Sequence, residues 1–168
     1  VYSFLRQLKG NILLCDDNWD ENHLGSGWSW DDYRESYMVE RSEMPIYGNI
    51  VRISGNLRNL KVEPFYFKKN IWVDSAILYP ENDSLYATTP TRGPTRRMQE
   101  NYFAVSEKAM QQYEVVKIPF HTREPGTLYR LLKDTLKNVK EVIDAGPAYQ
   151  FEFNKKIHSQ PTDSLLSP

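Results

Sequence analysis

In "VYSFLRQL" the apolar residues stand at 1, 4, 5 and 8, the spacing of one helical face, and "KGN" breaks the pattern before the run Ile12 to Cys15. That predicts a helix, a turn and a buried strand. Further on, "MPIYGNIVRISG" places Tyr47, Val51 and Ile53 on one strand face with polar Asn49 between them. "LKVEPFYF", "NIWVDSAILY", "NYFAV" and "YEVVKIPF" add strand candidates rich in β-branched and aromatic residues. The strongest helical signal lies in "TREPGTLYRLLKDTLKNVKEV", where Leu128, Leu131, Leu132, Leu136 and Val139 recur at three- and four-residue steps and Lys133, Lys137 and Lys140 face water. Pro125 suits its first turn, and Gly146-Pro147 lies beyond its end. "AYQFEFNKKI" alternates as a half-exposed strand, and Thr162 or Asp163 can cap a closing helix.

Between the strand candidates, "PENDSLYATTPTRGPTRRMQE" is dense in turn residues and reads as a long exposed excursion. The expected fold class is α/β to α+β: a mixed sheet with a few packed helices, plus a smaller β-rich subdomain. Residues 1–56 and 119–168 form the first unit in this reading, and residues 57–118 an inserted subdomain or extended excursion. No internal repeat is found.

With 168 residues and 40% hydrophobic content, the chain can bury an ordinary core. Its 21 basic and 22 acidic side chains leave a net charge of -1, so no broad basic field exists to hold nucleic acid or anionic lipid. No apolar run approaches the roughly 20 residues that span a bilayer. The only cysteine, Cys15, has no partner for an internal disulfide and reads as a small apolar side chain. The chain begins at Val1 without a signal peptide and stops at Pro168, so it is expected to be an excised piece.

The densest candidate chemistry is "GSGWSWDDYRESY", Gly25 to Tyr37, which follows the acidic loop "DDNWDEN". Asp16, Asn18 and Asp20 alternate as in a calcium loop, but Glu21 and Gly27 stand where such a loop needs glycine and a bidentate glutamate. A glycosidase would pair two of Asp16, Asp17, Asp20, Asp31 and Asp32 around a sugar stacked on Trp28 or Trp30. The structural counterpart is a tryptophan-anchored corner that packs the loop on the sheet. His23, His121 and His158 are scattered, so a zinc site is not expected, and Gly-x-Ser-x-Gly and the phosphate-binding loop are absent. Arg92, Arg96 and Arg97 offer an anion clamp, weighed against a solvated loop.

"GNILLCDDNWDENHLGSGWSWDDY", Gly10 to Tyr33, resembles a segment of D-alanyl-D-alanine carboxypeptidases of the penicillin-binding protein 4 type: a Gly-Asn/Asp-Ile strand, two acids, a variable loop and Gly-Trp-x-Trp-Asp-Asp-Tyr. "IHSQPTDSLLSP", Ile157 to Pro168, is similar to the stretch that precedes that family's Ser-x-Asn motif, and "EPGTLYRLLKDTL" resembles the helix between them. The likeness is looser at "RESYMVERSEMPIYGN", where the family has further tyrosines and Ala-Pro-x-Ser-Ala. It runs there only through Ser42 and Pro45. Leu57 to Ala104 is also short for a full third domain, so a trimmed or divergent accessory region is expected.

The resemblance implies that the chain is the accessory insertion in the penicillin-recognising domain of a serine-type carboxypeptidase or endopeptidase. Ser-x-x-Lys and Lys-Thr-Gly are missing here, and the resemblance places the family's catalytic Ser-x-Asn just after Pro168, so the piece alone is expected to be inert while its parent hydrolyses peptidoglycan. Asp31 or Asp32 would receive the free amine of the stem peptide, and Trp28, Trp30 and Tyr33 would hold and line that edge. The implied partners are the catalytic domain of the same polypeptide and the stem peptide, with no cofactor, in the periplasm or cell envelope. The alternative is a stand-alone carbohydrate- or protein-binding module that uses exposed Trp and Tyr.

Overall fold

Strand β2, Ile50–Asn56, alternates between the two sides of its sheet: Val51 and Ile53 are fully buried, while Arg52 and Ser54 stay partly accessible. The computed structural model describes residues 5, 7, 9–14, 22–29, 32–56, 58–74, 95–137 and 139–144. β2 lies between β3, Asn59–Glu63, and β7, Val115–Pro119, in an antiparallel sheet of order β3-β2-β7. Register places Ile53 opposite both Val62 and Val116, and Val51 opposite Ile118, so the apolar side chains share one face. The first expected boundary follows Asn56, the last residue of β2, and the second separates Ile118 from Pro119 at the end of β7. A second sheet, β4-β6-β5, joins Ile71–Asp74, Phe103–Ser106 and Thr95–Arg96, with β4 and β6 parallel.

The main core fills the space among these elements. Phe67, on the 3-10 segment Phe65–Asn70, meets Phe103 edge to face at a ring-centroid distance of 5.3 Å and Phe120 in a tilted contact at 5.2 Å, with Val105, Ile118 and Leu131 in the same cluster. Ser106 ends β6 and caps helix α1, Glu107–Gln112, its hydroxyl accepting from Ala109 N at 3.0 Å. Helix α2, Thr127–Thr135, follows Gly126, whose φ of 74° needs no Cβ penalty. Its Leu131 enters the main core. The next residue, Leu132, enters a second cluster with Leu136 and Val142, packed by Ile12 and Leu14 of β1. β1, Asn11–Leu14, runs parallel to β8, Glu141–Asp144, and Lys140 N donates to Gly10 O at 2.9 Å where that ladder starts.

This is an α+β arrangement of three small sheets and packed helices among the described residues. Several expectations change. The helix ends at Thr135 rather than running past Val139, because Val142 is needed in β8 opposite Ile12. β1 is half-exposed rather than buried, with Leu13 54% accessible, since only its Ile12 and Leu14 side faces the second cluster. Tyr47–Asn49 is a left-handed turn, not strand, and Asn49 is buried. The Pro/Gly-rich excursion contains β5, whose Arg96 is 2% exposed. The expected helix over 1–8 lies almost wholly outside the described residues, and the elements expected over 148–168 wholly so.

Candidate functional site

Glu40 is the centre of the best-defined polar cluster. It is 3% exposed and accepts hydrogen bonds from three directions. Arg96 Nη2 donates to Oε1 at 2.8 Å, and Thr122 donates to Oε2 through its N–H at 2.8 Å and its hydroxyl at 3.2 Å. His121 Nδ1 stands 3.0 Å from Oε2 and 3.2 Å from Oε1. An ionised carboxylate only accepts, so Nδ1 carries the proton of this contact. Burial alone would raise the Glu40 pKa, but the His121 hydrogen bond, the Arg96 charge and the Thr122 N–H together hold it below the ordinary 4.5. A carboxylate bound on this scale stays charged inside the protein because its partners replace water.

Each partner is itself held. Asn101, 1% exposed, clamps the His121 backbone by accepting its N–H on Oδ1 at 2.7 Å and donating Nδ2 to its carbonyl at 2.9 Å. The left-handed turn at Tyr47–Asn49 aims Asn49 Nδ2 at Glu40 O, 2.9 Å, and at Ser42 Oγ, 2.8 Å. Asn49 O receives Phe120 N at 3.0 Å, so one buried asparagine ties the backbone before β2 to the backbone after β7. Arg96 also stacks 5.2 Å from the Tyr33 ring, and Tyr33 OH donates to Arg96 O at 2.9 Å.

His23 completes the group. Its ring meets that of His121 edge to face at 5.8 Å, and its carbonyl accepts from Arg41 N at 2.7 Å. Burial lowers its pKa from the ordinary 6.5; Glu40 pulls the other way, and the His121, Arg123 and Arg96 charges add to the lowering. One ligand atom each from His23, Glu40 and His121 lies within 4.8 Å of the others.

Around this hub the structure distributes the residues expected from the sequence. Trp28 is 38% exposed, its indole lying against Gly25, where a Cβ would come within 2.7 Å of it. Asp32 is half-buried, with its N–H donating to Ser29 O and its carbonyl accepting from Glu35 N. Tyr33, 5% exposed, is an anchor in the core. Trp30, Asp31, Cys15, the acids Asp16, Asp17 and Asp20, Arg92 and His158 lie outside the described residues. Arg96 is an internal partner of a carboxylate rather than part of a solvated loop, a correction forced by its burial. The sequence reading missed Glu40, Asn49, Asn101 and the meeting of His23 with His121. Their separations carry no motif spacing, and only the assembled sheets bring them together.

No described helix is long and apolar enough to cross a membrane. Comparison with known families, curated proteins and solved structures finds no match to this chain.

Proposed function

We propose that this chain is the accessory insertion of a serine-type D-Ala-D-Ala carboxypeptidase or endopeptidase of the penicillin-binding protein 4 type, forming one wall of the cleft that receives peptidoglycan stem peptides. The observation that carries the reading is the ordered pattern from Gly10 to Tyr33, with its Gly-Trp-x-Trp-Asp-Asp-Tyr end. The local geometry supports it. Tyr33 is tied to Arg96 in the core, while Trp28 remains accessible and Asp32 stays partly open to water. An edge of this kind presents a carboxylate from a fixed backbone, so a charge-assisted hydrogen bond to a substrate ammonium needs little further ordering. Asp31 and Asp32 are the residues assigned to that role, with Trp28 and Trp30 walling the edge and Tyr33 holding it.

The chain brings no acylable serine with its lysine, so bond cleavage belongs to the catalytic domain of the parent polypeptide, in the periplasm or cell envelope. The reading frame is expected to carry Ser-x-x-Lys before Val1 and Ser-x-Asn within about ten residues after Pro168. Labelled penicillin should then acylate the parent and leave the 168-residue chain unlabelled. In the parent, Asp31→Asn or Asp32→Asn should raise KM for a stem peptide with a free amine about tenfold, the loss of one charge-assisted hydrogen bond. The same peptide with its amine acetylated should not discriminate wild type from variant. Labelling of the isolated chain, or equal effects on both peptides, defeats the proposal.

A second reading draws on Trp72, 69% exposed on edge strand β4, and on Trp28: a binding module that stacks sugars on exposed indoles. Specific, saturable glycan binding by the isolated chain that is lost in Trp72→Ala favours it over the cleft-wall reading.

A further inference from the structure

We propose that His23, Glu40 and His121 form a site for one borderline divalent cation of the zinc type, which staples the loop before β2 to the connection between β7 and α2. The inference is independent of the cleft-wall reading and concerns different residues. Two imidazoles and a carboxylate are a complete three-residue donor set for zinc, cobalt or nickel, with one or more positions left for water. Zinc binds nitrogen and oxygen at about 2.0–2.2 Å, which sets neighbouring donors on a tetrahedron about 3.3 Å apart. His121 Nδ1 and Glu40 Oε2, 3.0 Å apart, already sit close to that spacing. The three donors span at most 4.8 Å, so His23, half-buried on its loop, has a short distance to close.

The chemistry balances simply. In the metal-free protein His121 Nδ1–H donates to the carboxylate; for the cation to take that place a neutral ring moves its proton to Nε2, which frees the Nδ1 lone pair, and a ring protonated on both nitrogens releases one proton to solvent. His23 brings little proton competition, because burial already favours its neutral ring. The surroundings supply the orienting bonds that metal ligands need. Arg96 and Thr122 fix the Glu40 carboxylate, and Asn101 fixes the backbone of His121. They also choose the cation. Arg96, 2.8 Å from Glu40, offsets its charge, so magnesium and calcium, which depend on several anionic oxygens, are disfavoured against ions that bind neutral imidazole.

The experiment uses the 168-residue chain after chelator treatment and the metals alone. With three histidines and one cysteine in the sequence, competing donors are few. Cobalt(II) should give a saturable 1:1 visible spectrum that zinc abolishes. Zinc, at about a hundredfold over its Kd, should raise Tm by about 5–10 °C, and equal magnesium or calcium should not. His23→Ala, on the half-buried loop, should lose both effects, whereas His158→Ala and Cys15→Ser keep them. In the wild-type protein, which needs no variant to fold, zinc should shift the ring resonances of His23 and His121 and leave those of His158. Absence of a saturable spectrum overturns the site. So does a spectrum that survives His23→Ala, one that vanishes in His158→Ala or Cys15→Ser, or a zinc shift confined to His158.

Discussion

At the scale of single residues, the Glu40–Arg96 pair carries the greatest consequence. Both side chains are almost wholly removed from water, so their attraction is weakly screened and each is costly to strand. Glu40→Gln keeps the shape but leaves the guanidinium buried without its counter-charge. Urea unfolding should show a loss of about 3–5 kcal/mol, a large share of the total stability of an ordinary domain. Glu40→Gln combined with Arg96→Met should recover much of that loss, because removing both charges spares the buried one. A loss in Glu40→Gln below about 1 kcal/mol would show the pair to be energetically idle. None of this was legible in the sequence. Arg96 sits among Pro, Gly and Thr, the composition of solvated loops, and Glu40 lies 56 residues away from it. A charged residue betrays its burial only through its partner, and no local pattern links the two. Tyr33 was legible as part of an aromatic corner, but its bond to Arg96 spans 63 residues and was not.

At the scale of elements, periodicity performed well where one face is dry and failed where structure depends on distant pairing. β2, β3, β6 and β7 alternate because one side of each packs on the core, and their positions follow from the sequence. The Leu128–Leu132 spacing marked α2, yet the same apolar rhythm ran on into β8, and only the parallel partner β1 turns those last residues into strand. α1 was overlooked because six residues give too few turns for a periodic signal, and its clearest mark is the Ser106 cap. The β2–β3 hairpin offers a test at this scale. Asn56 Oδ1 accepts from the N–H groups of Arg58 and Asn59, which closes the turn, and Gly55 adopts a φ of 93° with the Asn59 carbonyl where its Cβ would be. Gly55→Ala should therefore lower stability by about 1–3 kcal/mol, read as a fall in Tm with the native circular dichroism retained below the transition.

At the scale of the whole molecule, the titrating groups of the hub set how stability responds to pH. His23 has a folded-state pKa below its ordinary 6.5, so between those values the unfolded chain binds a proton that the folded one refuses. Stability of the chelated protein should fall as pH drops through 6.5 and stop falling on this account once His23 protonates in the folded state. Glu40, held below 4.5, acts in the same sense lower down: its contribution is complete above 4.5 and is lost as pH drops through its folded value. Denaturation profiles measured with chelator present should show both declines, and His23→Gln should remove the upper one alone. The coarse α+β character was readable from the chain, whereas the way three sheets share two cores was not, since it depends on long-range register.

Helix α2 gives those cores a common fate. Leu131 and Leu132 are successive links of one rigid rod, yet each is sunk in a different apolar interior. Pulling either one out drags its neighbour, so neither interior can open while the other stays shut, and amide exchange should report a single shared opening for β2 and β8 instead of a loose end and a firm one.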